Sequence, residues 1–187
     1  MVDVDGERSG ADRLGAMREW HVGGALIRRD GGLVLVANRR RDQSVDWTPP
    51  GGVIDPGETI GEGLIREVRE ETGLVVNELT RCAYRVEVQA PHLDWVLRVE
   101  AWEAEVSGEV CIDDPDGIVE HCRAVPFAEV AGVLLASPAW IQVPVGHWIE
   151  RAGTLDSEEA GVAGDLADFG FRLLDRDRHD AMVERIW

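Results

Sequence analysis

The chain has 187 residues, 44% of them apolar, with 36 acidic side chains against 19 basic ones and a formal net charge of -17. That length suits one domain with an appendage, and the apolar share is enough for a proper core. The charge repels polyanions and so argues against binding long nucleic acid; a small phosphorylated ligand stays open where local arginines and a divalent metal offset the background field.

Residues 1–17 are polar and acidic, without the basic end and apolar stretch of a signal peptide, and are expected to form a flexible N-terminus; a cytoplasmic location follows as the default. No run of about 18 apolar residues exists, so no membrane span is expected. Trp20 to Arg28 reads as a strand, Asp30-Gly31-Gly32 as a turn, and Leu33 to Ala37 as the returning strand of a hairpin. Residues 38–51, NRRRDQSVDWTPPG, read as a loop, held extended by Pro49 and Pro50. A helix follows over roughly 59–72, with Thr59 as N-cap, Glu62 completing a capping box, and Gly73 beyond its end. Residues 79–88 and 95–106 read as longer strands, 107–117 as a loop, and 118–125 as a further strand. Residues 127–136 and a segment opened by Ser137-Pro138 read as helices. The acidic stretch 152–187 is expected to be an extension, with FGFRLLDRDRHDAMVERIW as a surface-docked helix. Mixed strands with a few helices suit an α+β or layered α/β/α domain. The three cysteines, Cys82, Cys111 and Cys122, are odd in number and lack a CxxC pair. They argue against a disulfide framework or structural zinc and read as plain thiols.

The helix over 59–72 carries the chemistry. Glu67, Glu70 and Glu71 are spaced i, i+3 and i+4, so their carboxylates share one face. Leu64, Ile65, Val68 and Thr72 form a stripe expected to face the core. Arg66 and Glu70 are placed for an orienting ion pair. Gly63 lies on the acidic face, at a cost of about 1 kcal/mol relative to alanine, and leaves room for a close approach to the carboxylates. Clustered carboxylates suit a hard cation such as Mg²⁺ or Mn²⁺, and the turn at Gly51-Gly52 offers a backbone carbonyl. A solvated acidic face has the same composition; the spacing separates the two.

From Gly52, five residues lead to Glu58, and seven more to Arg66-Glu67-Val68-Arg69-Glu70-Glu71-Thr72-Gly73-Leu74. This string resembles the signature of the Nudix (MutT-like) hydrolases at every fixed position. The resemblance implies an α/β/α sandwich with a mixed β-sheet over residues 18–151, the signature forming a loop–helix–loop. It implies hydrolysis of a nucleoside diphosphate linked to another group, by attack of water on a pyrophosphate phosphorus with Mg²⁺ or Mn²⁺ bound. Carried over by position, Glu70 and Glu71 are the main metal ligands. Glu67 is a further ligand or the general base, Glu58 supports the metal, Arg66 orients the carboxylates, and the carbonyl of Gly52 or Gly51 completes the shell. A downstream carboxylate often joins such a site; Asp113, Asp114, Asp116 and Glu120 are candidates, Glu120 first. Basic residues comparable to Arg39 and Arg40 contact phosphate in MutT-like members. Trp47 either packs under the loop or stacks on a base, with packing favoured. His92 and His121 read as structural residues.

The run RRRDQSVDWTPPGG most resembles members acting on nucleoside triphosphates or similar small nucleotides. An ADP-ribose or sugar-nucleotide pyrophosphatase is the alternative, although Pro91 falls slightly past the place of the proline in ADP-ribose-cleaving relatives. The third reading, a catalytically silent nucleotide sensor, is disfavoured by an intact signature. Family members are often dimers, so a homodimer is left open.

Overall fold

The structure, a computed structural model, describes residues 17–153, 166–174 and 183–187. The expected N-terminus 1–17 lies outside the described residues except for its last position. β1 (Arg18–Arg29) and β2 (Gly32–Arg39) meet at a turn in which Asp30 and Gly31 are both left-handed, with φ of 50° and 75°. This is the primed turn that matches strand twist. Only Arg28–Arg29 pair with Leu33–Gly32; beyond that the strands diverge. β1 runs parallel to β5 (Trp95–Ser107), which pairs antiparallel with β4 (Val75–Ala90). β2 is flanked by β3 (Val45–Thr48) and β6 (Val119–Pro126), both antiparallel to it.

Helix α1 (Ile60–Thr72) lies over one face of the sheet, and α2 (Phe127–Val133) and α3 (Ala139–Gly153) over the other. Alternation along β1 shows the division. Ala25 and Ile27 join Leu64 and Val68 of α1, whereas Leu26 between them joins Val130, Val145 and Trp148 of α2 and α3. Helices on both faces explain why β2 from Leu33 to Ala37, and β1 from Ala25 to Ile27, are continuous apolar runs. The result is the expected α/β/α arrangement with a mixed sheet. No helix among the described residues is long and apolar enough to cross a membrane.

Three expectations change. Residues 45–48 are strand β3 within the expected loop, because the β2 ladder reaches them from Val36↔Thr48 to Arg39↔Val45. Beyond the end of α3 at Gly153, the tail is not helical where it is described: β7 (Ala167–Leu173) pairs parallel with β4, and β8 (Val183–Arg185) pairs antiparallel with β7. Phe169, Phe171 and Leu173 are buried at every second position, so the segment obeys the strand period and is part of the sheet. The sheet order is β3-β2-β1-β5-β4-β7-β8, with β6 on the free edge of β2. Finally, Ile65 is 44% exposed and leaves the α1 core stripe to Leu64, Val68 and Thr72.

Candidate active site

The α1 ends form as the sequence indicates. Thr59 Oγ1 accepts from Glu62 N, and the Glu62 carboxylate accepts from Thr59 N at 2.8 Å. Gly73 N closes the last turn on Arg69 O. Burying Leu64, Val68 and Thr72 turns Glu67, Glu70 and Glu71 toward the segment before the helix. That segment is laid along β1 by three backbone hydrogen bonds: Ala25 N to Pro50 O, Gly23 N to Gly52 O, and Ile54 N to His21 O. Gly51 has φ of 144°, and a β-carbon there would collide with the Gly23 carbonyl, so only glycine permits this approach.

Loop and helix meet through the carboxylates. Gly51 N donates to Glu71 Oε2 at 2.7 Å. Arg66 occupies the centre: Nε and Nη2 donate to the two Glu58 oxygens at 3.0 and 2.9 Å, and Nη1 donates to Glu67 Oε1 at 2.7 Å and to Glu70 Oε2 at 3.4 Å. A fifth contact runs from Nη2 to the Val53 carbonyl at 3.2 Å. The ion pairing expected between Arg66 and Glu70 therefore extends to Glu58 and Glu67. Gly63 serves a different purpose from the one expected, since the space beside it is taken by Ile54 and Glu58.

Burial pushes the Glu71 carboxyl up to about 8. The Gly51 N–H and the Arg40 charge oppose that rise, while Glu67 and Asp114 add to it. Burial likewise raises Glu67, against the pull of Arg66 and with the push of Glu70 and Asp116. Hydrogen bonds from Arg66 lower Glu58. Among the described residues no three acidic, histidine or cysteine side chains already converge as a cation cage. Arg66 holds Glu67 and Glu70, and Glu71 turns to Gly51. The donor set nevertheless fits a hard dication: all its side chains offer carboxylate oxygen, and a desolvated carboxylate lacking sufficient positive charge gains most from one. The Gly52 carbonyl keeps one lone pair beyond its bond from Gly23.

The loop after β5 docks on the end of α1, Cys111 N donating to Thr72 O and Asp113 N to Glu70 O. It brings the charges of Asp114 and Asp116 within influence of Glu71 and Glu67. Asp114 also caps its own loop, accepting from Ile118 N and Val119 N. Glu120 is engaged by Arg39. Arg40 pairs with Asp46. Trp47 packs against the core with the Arg123 guanidinium 5.1 Å from its ring centroid, and its backbone exchanges hydrogen bonds with Ser137 Oγ. Sequence reasoning passed over Asp46; its only signal was an acidic residue six positions after an arginine beside the proposed site.

A model of the NUDIX domain matches residues 17–149. A Xenopus laevis protein named nucleoside diphosphate-linked moiety X motif 6 is 47% identical over 53 residues, 28% of this chain and 24% of that protein. The chain thus spans about a quarter of that relative's length. The MutT-like protein of Streptomyces ambofaciens is 32% identical over 127 residues, covering 55% of this chain and 80% of that one. The solution structure of the E. coli ORF135 protein superimposes with a TM-score of 0.62 at 22% identity, over 77% of this chain and 99% of that one, and so shares the fold. With the domain match covering most of its length and the signature assembled around Arg66, this chain belongs to the NUDIX domain family, the Nudix (MutT-like) hydrolases.

Proposed function

We propose that the chain hydrolyses a pyrophosphate bond in a nucleoside diphosphate linked to another group, with a nucleoside triphosphate or a similar small nucleotide as substrate. The observation that carries this reading is the meeting of Glu71 with Gly51 and of Glu67 with Gly52 where helix and turn adjoin, with burial raising both carboxylates. Such a site is poised for positive charge, which a divalent cation accompanying the phosphate chain would supply.

Glu70 and Glu71 would hold Mg²⁺ or Mn²⁺, with Glu67 beside the ion, Glu58 in support and a carbonyl of the Gly51-Gly52 turn alongside. The ion supplies neutralisation of phosphate oxygens and a lowered pKa for bound water. Arg66 fixes Glu58 and Glu67 relative to one another. Glu67, whose proton affinity is raised by burial, accepts the proton of the attacking water. The water oxygen bonds to phosphorus, the bridging P–O bond breaks, and its electron pair leaves on the departing phosphate. Arg39 at the end of β2 and Arg40 just beyond it bind the phosphates, and Trp47 acts through packing.

A screen with Mg²⁺ and with Mn²⁺ tests the reading, covering nucleoside triphosphates, ADP-ribose, sugar nucleotides and dinucleoside polyphosphates, with products identified by mass. Cleavage between two phosphorus atoms, lost in Glu67→Gln, is the expected result. A wild type as inactive as Glu67→Gln across the panel, yet still binding nucleotide, would establish the silent sensor instead.

A further inference from the structure

Asp46 lies in β3 opposite Asn38 of β2, and it is only 8% exposed. A carboxylate so buried needs a partner. Its partner is Arg40: Nε donates to Oδ2 at 2.9 Å, and Nη2 stands 2.8 Å from Oδ1. One hydrogen bond and one close charge contact make this a side-on pairing, in which Oδ1 accepts no aligned hydrogen bond. It consumes the Nε edge of the guanidinium and leaves the Nη1 donors on the outer edge of a side chain that is 46% exposed.

The chain between the two residues is built to hold them together. Arg40 N donates to Ser44 O, Gln43 N donates to Arg40 O, and Gln43 is left-handed with φ of 71°. Asn38 Nδ2 donates to Thr48 Oγ1 at 2.9 Å, fixing the far end of β3. From there β3 runs through Pro49 and Pro50 into Gly51, whose N–H holds Glu71. The positive charge of Arg40 is itself felt at Glu71. Arg39 is arranged differently: Nη1 donates to Gln43 and Nη2 to Glu120, so its outer edge is capped by the protein.

We infer that Asp46 is a positioning residue, which fixes the Arg40 guanidinium so that its outer edge meets a substrate phosphate beside Glu71. The inference rests on the proposed function and assigns the leading phosphate contact to Arg40 rather than Arg39. An arginine held on a buried carboxylate gives up its rotamer freedom on folding, so less is lost when phosphate binds.

The test combines Arg40→Ala, Asp46→Ala and the double variant. Steady-state kinetics use the best nucleotide of the screen. Calorimetry measures Kd for magnesium tripolyphosphate, which has phosphates and no base. Each single variant is expected to raise KM and Kd about tenfold, the scale of one charge-assisted contact, with kcat within about threefold of wild type. The double variant is expected to match Arg40→Ala. Where Asp46→Ala melts below the assay temperature, Asp46→Asn takes its place, with a smaller rise in the same direction. Unchanged KM and Kd, or a further loss from Asp46→Ala when Arg40 is already alanine, would overturn the inference. A wild type that cleaves nothing overturns the functional reading instead, and the tripolyphosphate Kd values still decide the coupling of Asp46 to Arg40.

Discussion

The Glu67 carboxylate lies directly against the Cα of Gly52: a β-carbon at position 52 would stand 2.6 Å from both the carboxyl carbon and Oε2. The contact joins the loop half of the signature to its helix half. Gly52→Ala is expected to push Glu67 aside and lower kcat about a hundredfold, the cost of a displacement near an ångström. The melting temperature should fall little, because the flexible end of a glutamate yields more readily than backbone. Kinetics and a thermal melt on the same preparation check this; an unaltered kcat would mean that the placement of Glu67 is immaterial.

Glu70→Gln and Glu71→Gln each keep the shape of the side chain and remove its charge. Both are expected to lose several orders of magnitude of activity with unchanged circular dichroism. Titrating Mn²⁺ calorimetrically into each variant checks the cause, and undiminished metal affinity would remove the proposed ligand from the site.

The raised carboxyl of Glu71 makes the stability of the metal-free chain depend on pH. Its ordinary value is 4.5 and its folded value about 8, so the folded state binds a proton more tightly than the unfolded chain does. The resulting stabilisation is complete below 4.5 and is lost as pH rises through about 8. Glu67 shifts in the same direction. Metal-free protein is expected to melt at progressively lower temperature across this interval. Saturating Mn²⁺ should flatten the decline, and Glu71→Gln should reduce it without metal. Denaturation at several pH values with chelator, and again with Mn²⁺, measures the effect; a melting temperature that rises over the same range contradicts it.

Trp187 lies flat on Gly170, where a β-carbon would collide with the indole ring, and Ile186 N donates to Gly170 O at 2.8 Å. Gly170→Ala should therefore displace residues 183–187 from β7 while leaving the site in place. Hydrogen exchange is expected to accelerate for these amides and to stay slow for α1. Equal protection in both proteins would show that β8 is not held by this contact.

The sequence announced α1 clearly because its determinants are local: a capping box, a glycine stop and an amphipathic period. The same period overestimated the buried stripe, since Ile65 at its edge stays 44% exposed. β3 was hidden because four residues become a strand only through the ladder to β2, a long-range fact that propensity does not carry. The β7 alternation of Phe169, Phe171 and Leu173 was legible as period two, but the charged residues after it favoured a helical reading. In the site, spacing put three glutamates on one face. It could not show that Arg66 stands between Glu67 and Glu70 while Glu71 turns to Gly51, nor that Asp46 holds Arg40, because those pairings depend on side-chain direction across separate elements.

The most direct measurement is anomalous diffraction at the manganese edge from crystals soaked in Mn²⁺. The expected result is a peak bounded by carboxylate oxygens of Glu67, Glu70 and Glu71, with Arg66 drawn away from Glu70. A peak elsewhere, with Arg66 still bonded to Glu67 and Glu70 as in the present structure, would contradict the account.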